Sequence, residues 1–80
     1  MQTIVSFNVR TILKHKDQVH NSTFKRFDNE EKQSIYYENQ IATFQAENLK
    51  IYETDCLHTI FKQGDCKYIV LKDIDIIEIY

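Results

Sequence analysis

The sequence predicts an all-β fold, a small antiparallel meander rolled into a barrel or a strongly bent sheet. Three observations support this prediction. The only glycine of the chain, Gly64, separates two apolar runs rich in β-branched and aromatic residues, as in a tight β-hairpin. Residues 3–13 alternate between polar and apolar side chains, as a half-buried strand does. The C-terminal residues form a further alternating apolar run, with one change of phase.

The hairpin at Gly64 sets a register and separates the two cysteines. A two-residue loop at Gly64 and Asp65 pairs residues whose numbers sum to 129. Cys66 then faces Gln63, and Cys56 lies several residues further along the ladder. A disulfide requires Cα atoms about 4.4–6.8 Å apart. We therefore expect two free thiols.

The elements before and after this hairpin follow from local pattern. A strand is predicted at residues 3–13, a polar loop or the outer end of a long hairpin at 14–22, and a short strand at 23–27. After Leu71 the alternation breaks at Lys72 and Asp73 and then resumes with isoleucines on both faces. A bend or β-bulge at this point would account for the change, because a strand that curves around a barrel must switch the face it presents.

The middle segment allows two interpretations. A helix at about 29–48, packed on an antiparallel sheet in an α+β fold, is supported by a capping-box pattern from Asp28 and by good helix formers without Gly or Pro. Its apolar residues, however, form two stripes on opposite sides of the helical wheel, and one core-facing surface cannot bury both. Strands at 34–37 and 41–44 are therefore favoured. The predicted core is Val5, Phe7, Val9, Ile35, Ile41, Phe44, Ile51, Ile60, Ile69, Leu71, Ile74 and Ile76.

Size and composition favour binding over catalysis. The 80 residues make one domain, 1–80, with little room for a concave pocket built from several elements. The N-terminus lacks the features of a signal peptide and no apolar run reaches membrane-spanning length, so a cytoplasmic protein is expected. No cofactor fingerprint is present. Neither an enzyme nor a cofactor is predicted.

The histidines and cysteines do not predict a metal site. Structural zinc sites bring ligands in close pairs, and only Cys56 and His58 are close here. On a strand these two side chains would lie some 7 Å apart, too far for two ligands of one ion. Core thiols and surface imidazoles are the simpler interpretation.

The favoured function is a non-catalytic binding module that acts through a protein-protein interface, as a small inhibitor or regulatory adaptor does. Tyrosine is enriched at interface hot spots, and Tyr36, Tyr37 and Tyr52 are the predicted contacts, although Tyr36 and Tyr37 would point to opposite faces of a strand. An open sheet edge could also pair with a partner strand or form a homodimer. The Ile-, Lys-, Asn- and Tyr-rich composition hints at an AT-rich bacterial or phage genome.

The alternative function is binding of single-stranded nucleic acid by a small barrel. The basic residues of the N-terminal third are Arg10, Lys14, Lys16, Lys25 and Arg26. Phe24 and Phe27 lie among them and offer rings on which bases could stack. The net charge of −2 and the pI near 5.8 argue against it, because dedicated nucleic-acid modules are usually strongly basic.

Overall fold

The computed structural model describes residues 2–79, and these form one helix packed on an antiparallel sheet. The elements are β1 (Gln2–His15), β2 (Gln18–Phe27), α1 (Glu30–Ala46), β3 (Lys50–Thr54), β4 (His58–Gln63) and β5 (Cys66–Ile79). The strand order is β2-β1-β5-β4-β3, and each neighbouring pair is antiparallel. The predicted antiparallel sheet is therefore confirmed, as an open sheet and not as a closed barrel.

Two tight turns lie side by side at one end of the sheet. In the β4–β5 hairpin, Gln63 lies opposite Cys66, which confirms the predicted register. Gly64 has a φ of 60° and opens a type II′ turn. The β1–β2 turn has positive φ at both Lys16 (52°) and Asp17 (66°), the type I′ pattern. Residues 14–22 are therefore the outer end of a long hairpin, one of the two predicted possibilities, and not a loop.

The helix begins and ends with well-defined caps. The Asn29 side chain accepts a hydrogen bond from the Lys32 backbone N–H at 2.8 Å, as an N-cap residue does. At the other end Asn48 adopts a left-handed φ of 65°, and the Leu49 N–H donates to the Phe44 carbonyl at 3.2 Å. This is a Schellman motif with asparagine in the place that glycine usually takes.

The helix corrects the preference for strands at 34–37 and 41–44, and it agrees with the α+β alternative. Of the two apolar stripes, only the one with Tyr37, Ile41 and Phe44 packs against the sheet. The other stripe is left at the surface, where Ile35 is 52% exposed. The requirement that one surface bury both stripes was the error, because the capping residues and the length of the segment favour a helix with only one stripe covered.

The core lies between α1 and one face of the sheet. Val9, Val70 and Tyr37 form its centre. The Phe44 ring lies 5.4 Å from that of Phe61 and 5.3 Å from that of Tyr68. At this distance aromatic pairs add to the free energy gained by burial. The helix is thus held along β1, β5 and β4, and the opposite face of the sheet receives no helix.

At the end remote from the turns, β1 and β5 continue as a two-stranded ribbon. They pair along their whole length, from Gln2 opposite Ile79 to His15 opposite Cys66. However, β2 pairs with β1 only from Phe7 onward, and β4 pairs with β5 only up to Leu71. Residues 2–6 and 75–79 therefore have no other strand beside them. We call these ten residues the arm.

The arm accounts for several wrong core assignments. Val5 and Ile76 in the arm were predicted to be buried and are exposed, as are Ile74 just outside it, Ile35 on the helix and Ile51 on β3. The β-bulge that was one explanation of the change at Lys72 and Asp73 is absent, since β5 keeps one register with β1 throughout. The change in apolar pattern instead marks the place where β4 and the helix stop covering β5.

Within residues 2–79, no helix combines the length and the apolar character that crossing a membrane would require. Cys56 is an exposed free thiol, and Cys66 is a half-buried one.

Candidate functional site

The face of the sheet opposite the helix is uncovered, and we call it the open face. Side chains directly opposite one another on neighbouring strands point to the same side of a sheet, so the register identifies its members. It carries six basic residues against three carboxylates, with four large aliphatic side chains half-buried between them. The basic residues are Arg10, Lys14, Arg26, Lys50, Lys62 and Lys67, and the four aliphatic residues are Ile12, Ile60, Ile69 and Leu71.

Four lysines form a straight row across four neighbouring strands of the open face. Lys14 on β1 lies opposite Lys67 on β5, which lies opposite Lys62 on β4, which in turn lies opposite Lys50 on β3. With strands about 4.8 Å apart, the row spans about 15 Å. We call these four residues the lysine row. Like charges directly opposite one another destabilise a sheet, so the row opposes the stability of the fold.

The lysine row borders a shallow depression at the two turns. The depression has a volume of about 240 Å³, and Lys16, Asp17 and Asp65 line it together with three lysines of the row. The Lys16 N–H donates to the Asp65 carbonyl at 3.0 Å and so joins the two turns. Among residues 2–79, the row lysines form no ion pair with a carboxylate. Their ammonium groups are therefore available to an external anion.

Tyr52 lies beside the lysine row because of a β-bulge. Ile51 pairs with Phe61 and Glu53 with Ile60, which leaves Tyr52 as the extra residue of β3. The tyrosine is 62% exposed. The Lys62 Nζ lies 5.1 Å from the centre of its ring and the Lys67 Nζ 6.0 Å. The bulge thus places an aromatic ring against two members of the row, within cation–π distance.

A second combination of ring and cation lies on the other side of the open face. Arg10 is opposite Phe24 in the register, and its guanidinium carbon is 4.8 Å from the centre of the Phe24 ring. The guanidinium carbon of Arg26 is 5.2 Å from the same centre. Phe24 is 40% exposed. Between this group and the lysine row lies a row of three half-buried isoleucines that face one another on β1, β5 and β4. They are Ile12, Ile69 and Ile60.

A polar network closes the open face where the arm begins. The buried Asn8 side chain donates to the Asp73 carboxylate at 2.8 Å and to that of Asp75 at 3.0 Å. Its carbonyl oxygen accepts from the Ser6 hydroxyl at 2.7 Å. Arg10 pairs with Asp73 at 3.3 Å. From the helix side, Gln33 donates to the backbone carbonyls of Asn8 and Asp73. The base of the arm is therefore fixed from both faces.

His58 ends the open face on the β4 side, between two carboxylates. Its Nε2 lies 3.1 Å from Glu53 and its Nδ1 lies 3.0 Å from Asp55. Backbone N–H groups of Leu57 and His58 donate to Asp55, and these bonds hold the pKa of that carboxyl below its ordinary value. The arrangement stabilises the β3–β4 turn.

The structure brings together four of the five predicted basic residues. Lys14 and Lys16 lie at the lysine row, and Arg10 and Arg26 flank Phe24. Lys25 is different, because it lies opposite Val9 and so points to the helix side of the sheet. Phe27 likewise leaves the predicted cluster, since its ring packs 5.4 Å from that of Tyr36.

The three predicted tyrosine contacts are in three different environments. Tyr37 is 7% exposed, and its hydroxyl is hydrogen-bonded to Thr59 at 2.9 Å. Burial raises the pKa of Tyr37. The prediction that Tyr37 contacts a partner is at odds with this core position. Tyr36 is half-buried against Phe27. Tyr52 alone of the three projects into solvent.

Sequence reasoning missed the other three lysines of the row. The register that it predicted for the Gly64 hairpin already places Lys62 opposite Lys67, so this pair could have been found. Lys14 joins them only because β1 lies beside β5, which is a long-range pairing without a local signal. Comparison with protein-family models, with curated proteins and with solved structures gave no match.

Proposed function

We propose that this protein binds single-stranded nucleic acid across the open face of its sheet. The observation that carries the proposal is the lysine row, four ammonium groups in register on four neighbouring strands, without an ion pair to any described carboxylate. A phosphate backbone supplies negative charges in a line and releases its condensed counterions when lysines replace them. Such a ligand would relieve the repulsion within the row.

The aromatic residues of the open face favour an unpaired strand over a duplex. Bases stack on exposed rings only when they are not already paired and stacked, and each such contact contributes about 1–3 kcal/mol. Tyr52 offers a ring next to the phosphate-binding lysines, and Phe24 offers a second ring with Arg10 and Arg26 beside it. In general, a sheet with helices on one side and aromatic rings on the other is a common platform for single-stranded RNA.

The distribution of charge answers the objection that the chain is acidic. Residues 28–47, which comprise the helix and its caps, hold five carboxylates and only one basic residue, Lys32. This acidic element lies on the far side of the sheet from the open face. The net charge of the chain therefore does not describe the surface that would meet the phosphates.

Binding should be measured by fluorescence anisotropy with a labelled oligothymidylate at several salt concentrations. We expect affinity to fall with salt. The double change Lys14→Gln and Lys67→Gln should weaken binding and reduce the logarithmic salt slope by about 1.4, since each phosphate contact contributes about 0.7 for a single strand. Tyr52→Ala should weaken binding and leave that slope unchanged, whereas Tyr52→Phe should retain affinity.

A matched control separates the open face from a general effect of charge. The double change Lys25→Gln and Lys32→Gln also removes two positive charges, but from the helix side of the molecule. This variant should bind as the unaltered protein does. Equal losses in the two double variants, or the absence of any salt-dependent binding, would contradict the proposal.

The sequence favoured a protein interface through three tyrosines. The support for such an interface comes from another part of the molecule, the arm. Of the three tyrosines, one is buried, one is half-buried and Tyr52 adjoins the lysine row. The exposed apolar arm is the feature that favours a protein partner.

A further inference from the structure

We propose that two copies of this chain pair through the arm, with β1 of one copy antiparallel to β1 of the other. The arm exposes large apolar side chains on both of its faces. Ile4 is 42% and Ile77 38% exposed on the side of the open face, and Val5 is 41% and Ile76 67% exposed on the side of the helix. A two-stranded ribbon alone is at best marginally stable in water. Pairing with another strand would stabilise it.

The two free edges of the arm differ in how well they are protected. The β5 edge carries Asp75 and Glu78, and edge carboxylates discourage strand addition. The β1 edge has the sequence Gln-Thr-Ile-Val-Ser over residues 2–6, without a charge, a proline or a bulge. A second β5 strand would bring like charges together on the first edge. A second β1 strand would bring no like charges of residues 2–6 together on the other edge.

The space beside the β1 edge also fits a strand. A groove of about 330 Å³ lies there, lined by Ile4, Val5, Ser6, Phe27 and Ile77 and by the charged Arg26 and Asp28. It begins where β2 ends at Phe27 opposite Phe7 and the chain turns away into the helix. A strand placed in the groove would continue the line of β2 and complete the sheet beside the arm.

Symmetry fixes the register of this pair. A two-fold axis through antiparallel strands requires one residue to face its own copy, and only Ile4 allows all five residues of the edge to pair. Thr3 then faces Val5 of the second copy, and Gln2 faces its Ser6. The side chains of Ile77 and Ile4 would form one row with those of the second copy. Stable protein interfaces usually bury at least about 1,200 Å² of accessible surface. Five residues from each copy bury less than this, so we expect a weak, concentration-dependent dimer.

The axis stands perpendicular to the sheet, so both open faces would lie on the same side of the dimer. The proposal does not depend on nucleic-acid binding. If that function holds, the dimer presents two lysine rows to one strand, and linked sites bind more tightly than either alone.

Cysteine cross-linking tests the register directly. In a background of Cys56→Ser and Cys66→Ser, Ile4→Cys places two thiols opposite one another across the axis. Cα atoms of opposed residues lie about 4.5–5.5 Å apart, within the range for a disulfide. Oxidation should yield a covalent dimer. Ile77→Cys is the matched control, because it lies on the same face one strand further from the axis, and it should remain monomeric.

Sedimentation of the unmodified chain gives the second measurement. We expect the average mass to rise from monomer to dimer with concentration, and Ile4→Lys to abolish the rise by opposing two charges. Ile4 is exposed, so the circular dichroism of this variant should be unchanged. Ile76→Lys, on β5, should still dimerise. A chain that stays monomeric at every concentration would overturn the proposal, as would dimers lost in Ile76→Lys but retained in Ile4→Lys, or equal cross-linking through both cysteine positions.

Discussion

The two ends of the β1–β5 ribbon are built from the same pair of strands in one continuous register, yet their surfaces are opposite in character. At the end with the turns, β2 and β4 flank the ribbon, and lysines line its open face. At the arm, neighbouring strands are absent from both sides within the described chain, and isoleucine and valine are exposed. Whether an alternating strand buries its apolar residues therefore depends on its neighbours and not on its own pattern.

The largest effect is expected at the boundary between these ends. Asn8→Ala removes the amide that donates to Asp73 and Asp75 and leaves the two carboxylates close together without it. We expect a loss of about 3 kcal/mol in the free energy of unfolding, because hydrogen bonds of buried groups to charged partners are among the stronger ones. Urea denaturation measures this loss, with the exposed Asn21→Ala as control. Equal midpoints for the two variants would mean that the network does not join the arm to the body.

A smaller effect is expected at the turns. Gly64 has a φ of 60° and a built Cβ would meet no atom within 4 Å, so Gly64→Ala tests backbone conformation alone. The strain should lower stability by about 1.5 kcal/mol. Gln63→Ala, at the adjacent exposed position, should change stability little. If Gly64→Ala is neutral in thermal unfolding, the turn end is less rigid than the comparison with the arm implies.

A substitution in the lysine row should have the opposite effect and raise the free energy of unfolding. Lys67→Gln removes the charge that faces both Lys14 and Lys62, and we expect it to raise stability by about 0.5 kcal/mol at low ionic strength. The gain should disappear near 1 M salt, where the Debye length is about 3 Å. Lys25→Gln, opposite Val9, should give no such gain. A salt-independent loss of stability in Lys67→Gln would show that its repulsion within the row is negligible.

The smallest effect concerns pH and the β3–β4 turn. The pKa of Asp55 is lowered by the backbone N–H groups of Leu57 and His58, so the folded state favours the charged carboxylate. Its contribution is present above the ordinary value of 3.8 and is lost as the pH falls through the lower folded value. Asp55→Asn should therefore unfold with a weaker acid dependence. Parallel stability curves of the two proteins down to acid pH would contradict this.

Local chemistry accounts for what could be predicted from the sequence. The Gly64 hairpin and its register follow from one turn, and the first strand follows from alternation. Strands were favoured over the helix because both of its apolar stripes were expected to be buried. Which stripe is buried depends on the sheet beneath the helix, and Ile35 stays exposed. The lysine row could not be predicted in full, because β1 and β5 are joined by no local signal. The arm could not be distinguished from the core, since Ile76 has the same alternation as buried Val70.

The separation of charge along the ribbon has a consequence for how the molecule moves. The chain extends 49 Å along its longest axis, with Lys14, Lys62 and Lys67 towards one end and Asp73 and Asp75 towards the other. The lysine row therefore gives the turn end of the open face a positive surface, although the net charge of the chain is only −2. Such a molecule rotates in the field of a polyanion before it makes contact. The protein would therefore more often approach a polyanion with its two hairpin turns first and the arm pointing away.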